Sequence, residues 1–114
     1  MEGFFRITFT GTAGSGFGML VLHGGVIVGA DVTGAEYDGS YSDNSSTRTL
    51  DFRVTMRAPA GTIPVQTGIP VTEPINLPIS GSFPLENIAS ETPTLLETPL
   101  GPVNVIFKKL RDFP

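Results

Sequence analysis

Leu50, Phe52, Val54 and Met56 alternate without interruption with Thr49, Asp51, Arg53, Thr55 and Arg57. A period of two puts the apolar side chains on one face of a strand and the polar ones on the other. On a helix the same residues would scatter around the circumference. A chain with this segment is committed to a sheet with one face on a core and the other in water, as antiparallel sheets allow. On this assignment Phe52→Asp unfolds the domain and Arg53→Ala changes little.

The flanking sequence carries the same signature in shorter pieces. Residues 4–10 read as a first strand, with Phe5, Ile7 and Phe9 on one face. A Gly-rich loop is expected over 11–16, then a strand over 17–23. Gly24-Gly25 is a two-residue hairpin signal. Strands over 26–30 and 36–41 follow, joined by a turn over 31–35 in which Asp31 caps its own backbone. Residues 42–46 (SDNSS) read as a polar loop. Beyond the alternating strand of residues 47–56, Pro59, Pro64, Pro70, Pro74, Pro78 and Pro84 interrupt the chain. Proline lacks a ladder donor, so strands here are short or lie at edges; 62–67 and 75–80 are the candidates. Residues 85–92, bracketed by Pro84 and Pro93, have room for one or two helical turns. Short strands over 94–97 and 103–110 complete the chain.

Eight or nine short strands separated by frequent turns predict a sandwich or a barrel. Pairing the apolar last strand with the first would close a barrel and remove exposed edges. The expected fold is therefore all-β: a small antiparallel β-barrel of about eight strands, with at most one short helix, spanning residues 1–114 as a single domain.

Composition narrows the function. The 114 residues carry a formal net charge of −4, which argues against direct contact with nucleic acid, since phosphate binding needs a basic surface. Lys108, Lys109 and Arg111 form the one basic cluster and read as a solvated tail. No cysteine is present, so thiol nucleophiles and zinc–thiolate sites are excluded. No apolar run is long enough to cross a membrane as a helix, and the N-terminal residues lack the pattern of a secretory signal.

Candidate catalytic motifs fail on spacing. Gly14-Ser15-Gly16-Phe17-Gly18 resembles a phosphate loop, but no helix or lysine follows it. His23 is the one histidine, too few for a histidine-based metal centre. Asp31, Glu36, Asp38 and Asp43 lack the alternation of a calcium loop. The expectation is no enzyme, no metal and no cofactor. Tyr37, Gly39 and Tyr41 share one strand face, with Gly39 marking a barrel corner or a pocket wall. Met19 and Val21 lie opposite Leu20 and Leu22, so the second strand is apolar on both sides. That pattern predicts cover on both faces, by a loop or by a second subunit, and the low share of charged residues, 16%, points to the subunit.

Four pieces in order carry a family likeness: Phe5-x-Ile7-x-Phe9, Gly18-Met-Leu-Val-Leu22, Gly25-Val-Ile-Val-Gly29-Ala-Asp31 and Tyr37-x-Gly39. Together they resemble the GrlR-type negative regulators of type III secretion, best over residues 3–57. The resemblance implies a lipocalin-like barrel, a homodimer and a cytoplasmic location. It also implies negative regulation by binding a protein partner, a transcriptional activator, rather than DNA. In that family an acidic run after the Tyr-x-Gly strand makes the contact. The corresponding loop here holds one acid, and Asp43, Asn44 and Ser45 are its candidate contact residues. The alternative is a carrier or sensor of a small apolar ligand held in the barrel interior, with Phe5, Phe9, Tyr37, Gly39, Tyr41 and Phe52 as candidate pocket residues. If the phenylalanines fill the interior there is no pocket; if they line a void, the carrier reading gains.

Overall fold

The computed structural model describes residues 1–114. Eight antiparallel strands and one short helix follow one another along the chain. The strands are β1 (Gly3–Gly11), β2 (Gly14–His23), β3 (Val26–Asp31), β4 (Glu36–Asn44), β5 (Thr49–Ala58) and β6 (Ile75–Pro84), then, after α1 (Leu85–Ser90), β7 (Thr94–Thr98) and β8 (Gly101–Arg111). They form one sheet in the order β6-β5-β4-β3-β2-β1-β8-β7, curled into a nearly closed barrel.

The expected pairing of the first strand with the last is present, with Ile7 opposite Phe107 and Phe9 opposite Val105. It does not close the barrel, because it lies inside the sheet. The open seam falls instead between β6 and β7, which carry no mutual ladder. Leu96 leans across this seam, so close that a Cβ on Gly81 would stand 3.0 Å from its Cδ1. Edge position also explains how β6 tolerates Pro78.

Three further expectations are corrected. The Gly-rich loop over 11–16 contracts to a tight turn at Thr12 and Ala13, and Gly14, Ser15 and Gly16 pair with β1 as strand. The polar loop at 42–46 is mostly strand: β4 runs to Asn44, opposite Thr49, and the turn occupies Ser45 to Arg48. The candidate strand at 62–67 is no strand; it belongs to the long β5–β6 connection.

Alternation decides what faces inward. Phe5, Ile7, Leu20, Leu22, Ile27, Leu50, Val54, Ile79, Phe83, Val105 and Phe107 are buried in one apolar cluster. Phe5, Leu22 and Leu50 are sealed completely, each contributing about 1.5–3 kcal/mol by leaving water. Ile88 of α1 adds to the cluster where the helix packs on β6 and β8.

Gly39 makes the tight curl of the sheet possible. A Cβ there would overlap the Arg53 carbonyl oxygen and lie 2.6 Å from Val54 Cα. The gap at this corner is filled by the backbone of β5, not by a side chain. Gly18 and Gly29 meet neighbouring backbone in the same way on β2 and β3. No helix is long and apolar enough to cross a membrane.

Candidate functional site

The barrel interior is not completely filled. A cavity of about 120 Å³ runs along the axis, lined by 25 residues, 19 of them hydrophobic. Its polar lining residues, Asp31, Thr33, Thr62, Gln66 and Thr98, lie at the end of the barrel where β1 and β2, β3 and β4, β5 and β6, and β7 and β8 are connected. α1 and the β2–β3 and β4–β5 turns lie at the opposite end.

Of the six candidate pocket residues, Phe9, Tyr37 and Phe52 line the cavity. Phe5 does not, because its ring is fully buried in an edge-on contact with Phe107, 5.8 Å between centroids. Gly39 is pressed against β5 and has no side chain to offer. Tyr41 packs beside the core without reaching the cavity wall. Phe107 does line the void, along with Phe83, on which its ring stands edge-on at 4.9 Å.

The long connection between β5 and β6 supplies the cap. Thr62, Ile63, Pro64, Val65 and Gln66 reach across the barrel mouth and line the cavity. Few hydrogen bonds hold them there. The Ala13 amide donates to the Val65 carbonyl at 2.8 Å. Thr12 Oγ1 donates to the Gln66 carbonyl at 3.3 Å, and Gln66 Nε2 donates to Thr98 Oγ1 at 3.2 Å. Close approach of the cap requires Gly11, where a Cβ would stand 2.5 Å from the Val65 carbonyl oxygen.

Polar groups gather at this mouth. Asp31 ends β3 on the inward face. Its Oδ1 accepts from the Thr33 amide at 2.8 Å, Thr33 Oγ1 at 2.5 Å and the Ala35 amide at 3.3 Å. That is the turn-capping role read from the sequence. Its Oδ2 accepts from the Tyr37 hydroxyl at 2.6 Å. Burial, reinforced by this bond and by the Asp31 charge, holds the Tyr37 phenol far above its ordinary range. Asp31 and Tyr37 are the two titratable residues on the cavity wall, and they are bonded to each other.

Sequence reasoning placed Tyr37 near a pocket but missed the group around it. Asp31 had a signal: counting by twos from Ile27 through Gly29 puts it on the inward face. Thr62 and Gln66 had none, since a proline-rich connection has no period to count.

The candidate partner-binding loop is occupied by its own contacts. Asp43 pairs with the amine of Met1. Asn44 Oδ1 accepts from the Ser46 and Thr47 amides at 3.1 and 3.3 Å, and its Nδ2 donates to Asp51 at 3.2 Å. Ser45 sits exposed at the turn. His23 stands outside the barrel, stacked on Phe113 at 3.8 Å between ring centroids and 3.0 Å from Glu2.

Comparison with protein-family models, curated proteins and solved structures found no match to this chain.

Proposed function

We propose that this protein binds a small apolar molecule inside its barrel and acts as a carrier or sensor rather than as an enzyme. The observation that carries this reading is the axial cavity of about 120 Å³ with its largely hydrophobic wall. An apolar cavity of about 150 Å³ stays dry and takes up benzene, so this one suits a single ring or a short branched chain. Loss of packing around an unfilled void is the force that favours a guest. The wall supports binding over catalysis, because its one carboxylate and one phenol satisfy each other.

The test is a methyl NMR titration with toluene. Shifts are expected at Ile27, Val54, Ile79 and Val103, which line the cavity, and not at Leu77 or Ile88, which are buried outside it. Shifts spread evenly over the surface, or none, would refute the reading.

A second reading, regulation through protein contact, has one observation in its favour. The outward face of β2 and β3 carries Phe17, Met19, Val26 and Val28, each about half exposed, with Val21 paired to Val28 between them. A contiguous apolar face on the outside of a barrel is a contact surface by chemistry. Its continuous sheet geometry and lack of charge suit a second copy of the same chain, giving a homodimer. In this reading the contact surface moves from the Asp43 loop to the β2–β3 face. Sedimentation velocity should give a dimer that Met19→Lys and Val28→Lys convert to monomer; a monomeric unmodified protein would remove this reading.

A further inference from the structure

The cavity mouth has an unusual hydrogen-bond polarity. Four hydroxyls line it, and every one has its proton committed to the protein. Tyr37 donates to Asp31 at 2.6 Å, and Thr33 to Asp31 at 2.5 Å. Thr62 donates to the Pro59 carbonyl at 2.8 Å, and Thr98 to the Gly101 carbonyl at 2.6 Å. A hydroxyl with a committed proton presents only its oxygen lone pairs; those of Thr98 are taken by Gln66 Nε2 and the Leu100 amide, so Tyr37, Thr33 and Thr62 are the hydroxyls that offer an acceptor. One carboxylate, Asp31, stands among them, and no Lys, Arg or His lies on the wall. Gln66, also on the wall, spends one of its two Nε2 protons on Thr98 Oγ1 and adds a carbonyl acceptor of its own. Acceptors thus outnumber donors at the polar end of the cavity, and its charge is negative.

We infer that the cavity selects a one-ring or similarly small molecule that donates a hydrogen bond, of the alcohol or phenol class, with its hydroxyl on the Tyr37 oxygen, and that it rejects carboxylates. This rests on the ligand-binding reading above and adds the ligand's chemistry. An apolar body fills the space between Phe9, Phe52 and Phe107. The hydroxyl points to the mouth, where the Tyr37 oxygen accepts. An acceptor-only ligand of the same size leaves its oxygen facing other acceptors, which costs a buried unmade bond. An anion adds repulsion from Asp31 with no cation to offset it.

The decisive comparison uses two isomers, benzyl alcohol and anisole, which share one formula but differ in having a donor. Calorimetry or methyl NMR titration on the unmodified protein should give benzyl alcohol about tenfold tighter than anisole, with benzoate not bound at the same concentrations. Tyr37→Phe should bring benzyl alcohol to the level of anisole while leaving anisole within about twofold. Equal affinities for the two isomers, or binding of benzoate as tight as benzyl alcohol, would overturn the inference while leaving the ligand-binding reading intact. Failure of all three compounds and of toluene to bind would overturn both. If Tyr37→Phe does not fold, the isomer comparison on the unmodified protein still decides.

Discussion

Tyr37 and Asp31 are joined by a 2.6 Å hydrogen bond that ties the start of β4 to the end of β3 at the mouth of the barrel. The phenol is half-buried, and the carboxylate also caps the turn between the two strands. Removing Tyr37's hydroxyl by Tyr37→Phe should lower stability by about 1.5–3 kcal/mol, the range for a hydrogen bond to a charged group. Asp31→Ala should cost more, because the Thr33 and Ala35 amides lose their acceptor as well. Urea denaturation of both variants checks the order.

The same pair sets an alkaline limit. The folded-state pKa of Tyr37 is raised, first by burial, then by Asp31. Its stabilising contribution is complete below the ordinary tyrosine value of about 10 and declines as pH rises beyond it, because the unfolded chain ionises first. Tyr41 is shifted the same way, chiefly by burial. Melting temperature should therefore fall above about pH 10, and the fall should be shallower in Tyr37→Phe.

On the acid side Asp51 acts in the opposite sense. Ser82, Thr49 and Asn44 hydrogen-bond its carboxylate and hold its pKa below the usual aspartate value, Ser82 most strongly. Its contribution is present above the unfolded value of about 4 and is lost as pH falls through the lower folded one. An NMR titration of the carboxyl carbon should show a depressed midpoint, and Ser82→Ala should move it back toward the ordinary value.

Gly39 and Gly14 should respond very differently to the same change. Gly39→Ala forces a methyl group into the backbone of Arg53 and Val54, whereas a Cβ on Gly14 meets nothing within 4 Å. Thermal denaturation should show a loss of about 3 kcal/mol at Gly39, and a change of only about 0.5 kcal/mol at Gly14.

Phe52 stacks on Phe83 at 5.0 Å between centroids, on the inward face, and its neighbour Arg53 is exposed. Phe52→Asp buries an unpaired charge and should abolish the folded signal in far-UV circular dichroism. Arg53→Ala should stay within about 0.5 kcal/mol of the parent protein. Similar losses at both positions would reverse the assignment of faces.

How far the sequence reached differs between elements. The faces of β1 and β5 could be read directly, because alternation is a property of consecutive residues and survives any tertiary arrangement. The Gly24-Gly25 hairpin could be read for the same local reason: both residues hold positive φ, 56° and 81°, as the two-residue turn requires. The turn at Thr12 and Ala13 was hidden because glycines at 14 and 16 look like loop, while their pairing with Gly11 and Phe9 is fixed only across the ladder. Residues 62–67 looked like strand by composition, yet no neighbour offers them a ladder. Of the candidate pocket, Phe9 and Phe52 were reachable by alternation, whereas Phe5 shares their face and is nonetheless sealed by Phe107.

By itself the sequence determined an all-β chain, the inward faces of β1 and β5 and the Gly24-Gly25 hairpin, since each depends on periods and dihedrals within a few residues. Only the tertiary structure decided where the barrel seam falls, that the capping segment covers one end, and that a void remains between Phe9, Phe52 and Phe107. Those outcomes depend on distances between segments far apart in the chain, and on how volumes from different strands add up, which no local pattern encodes.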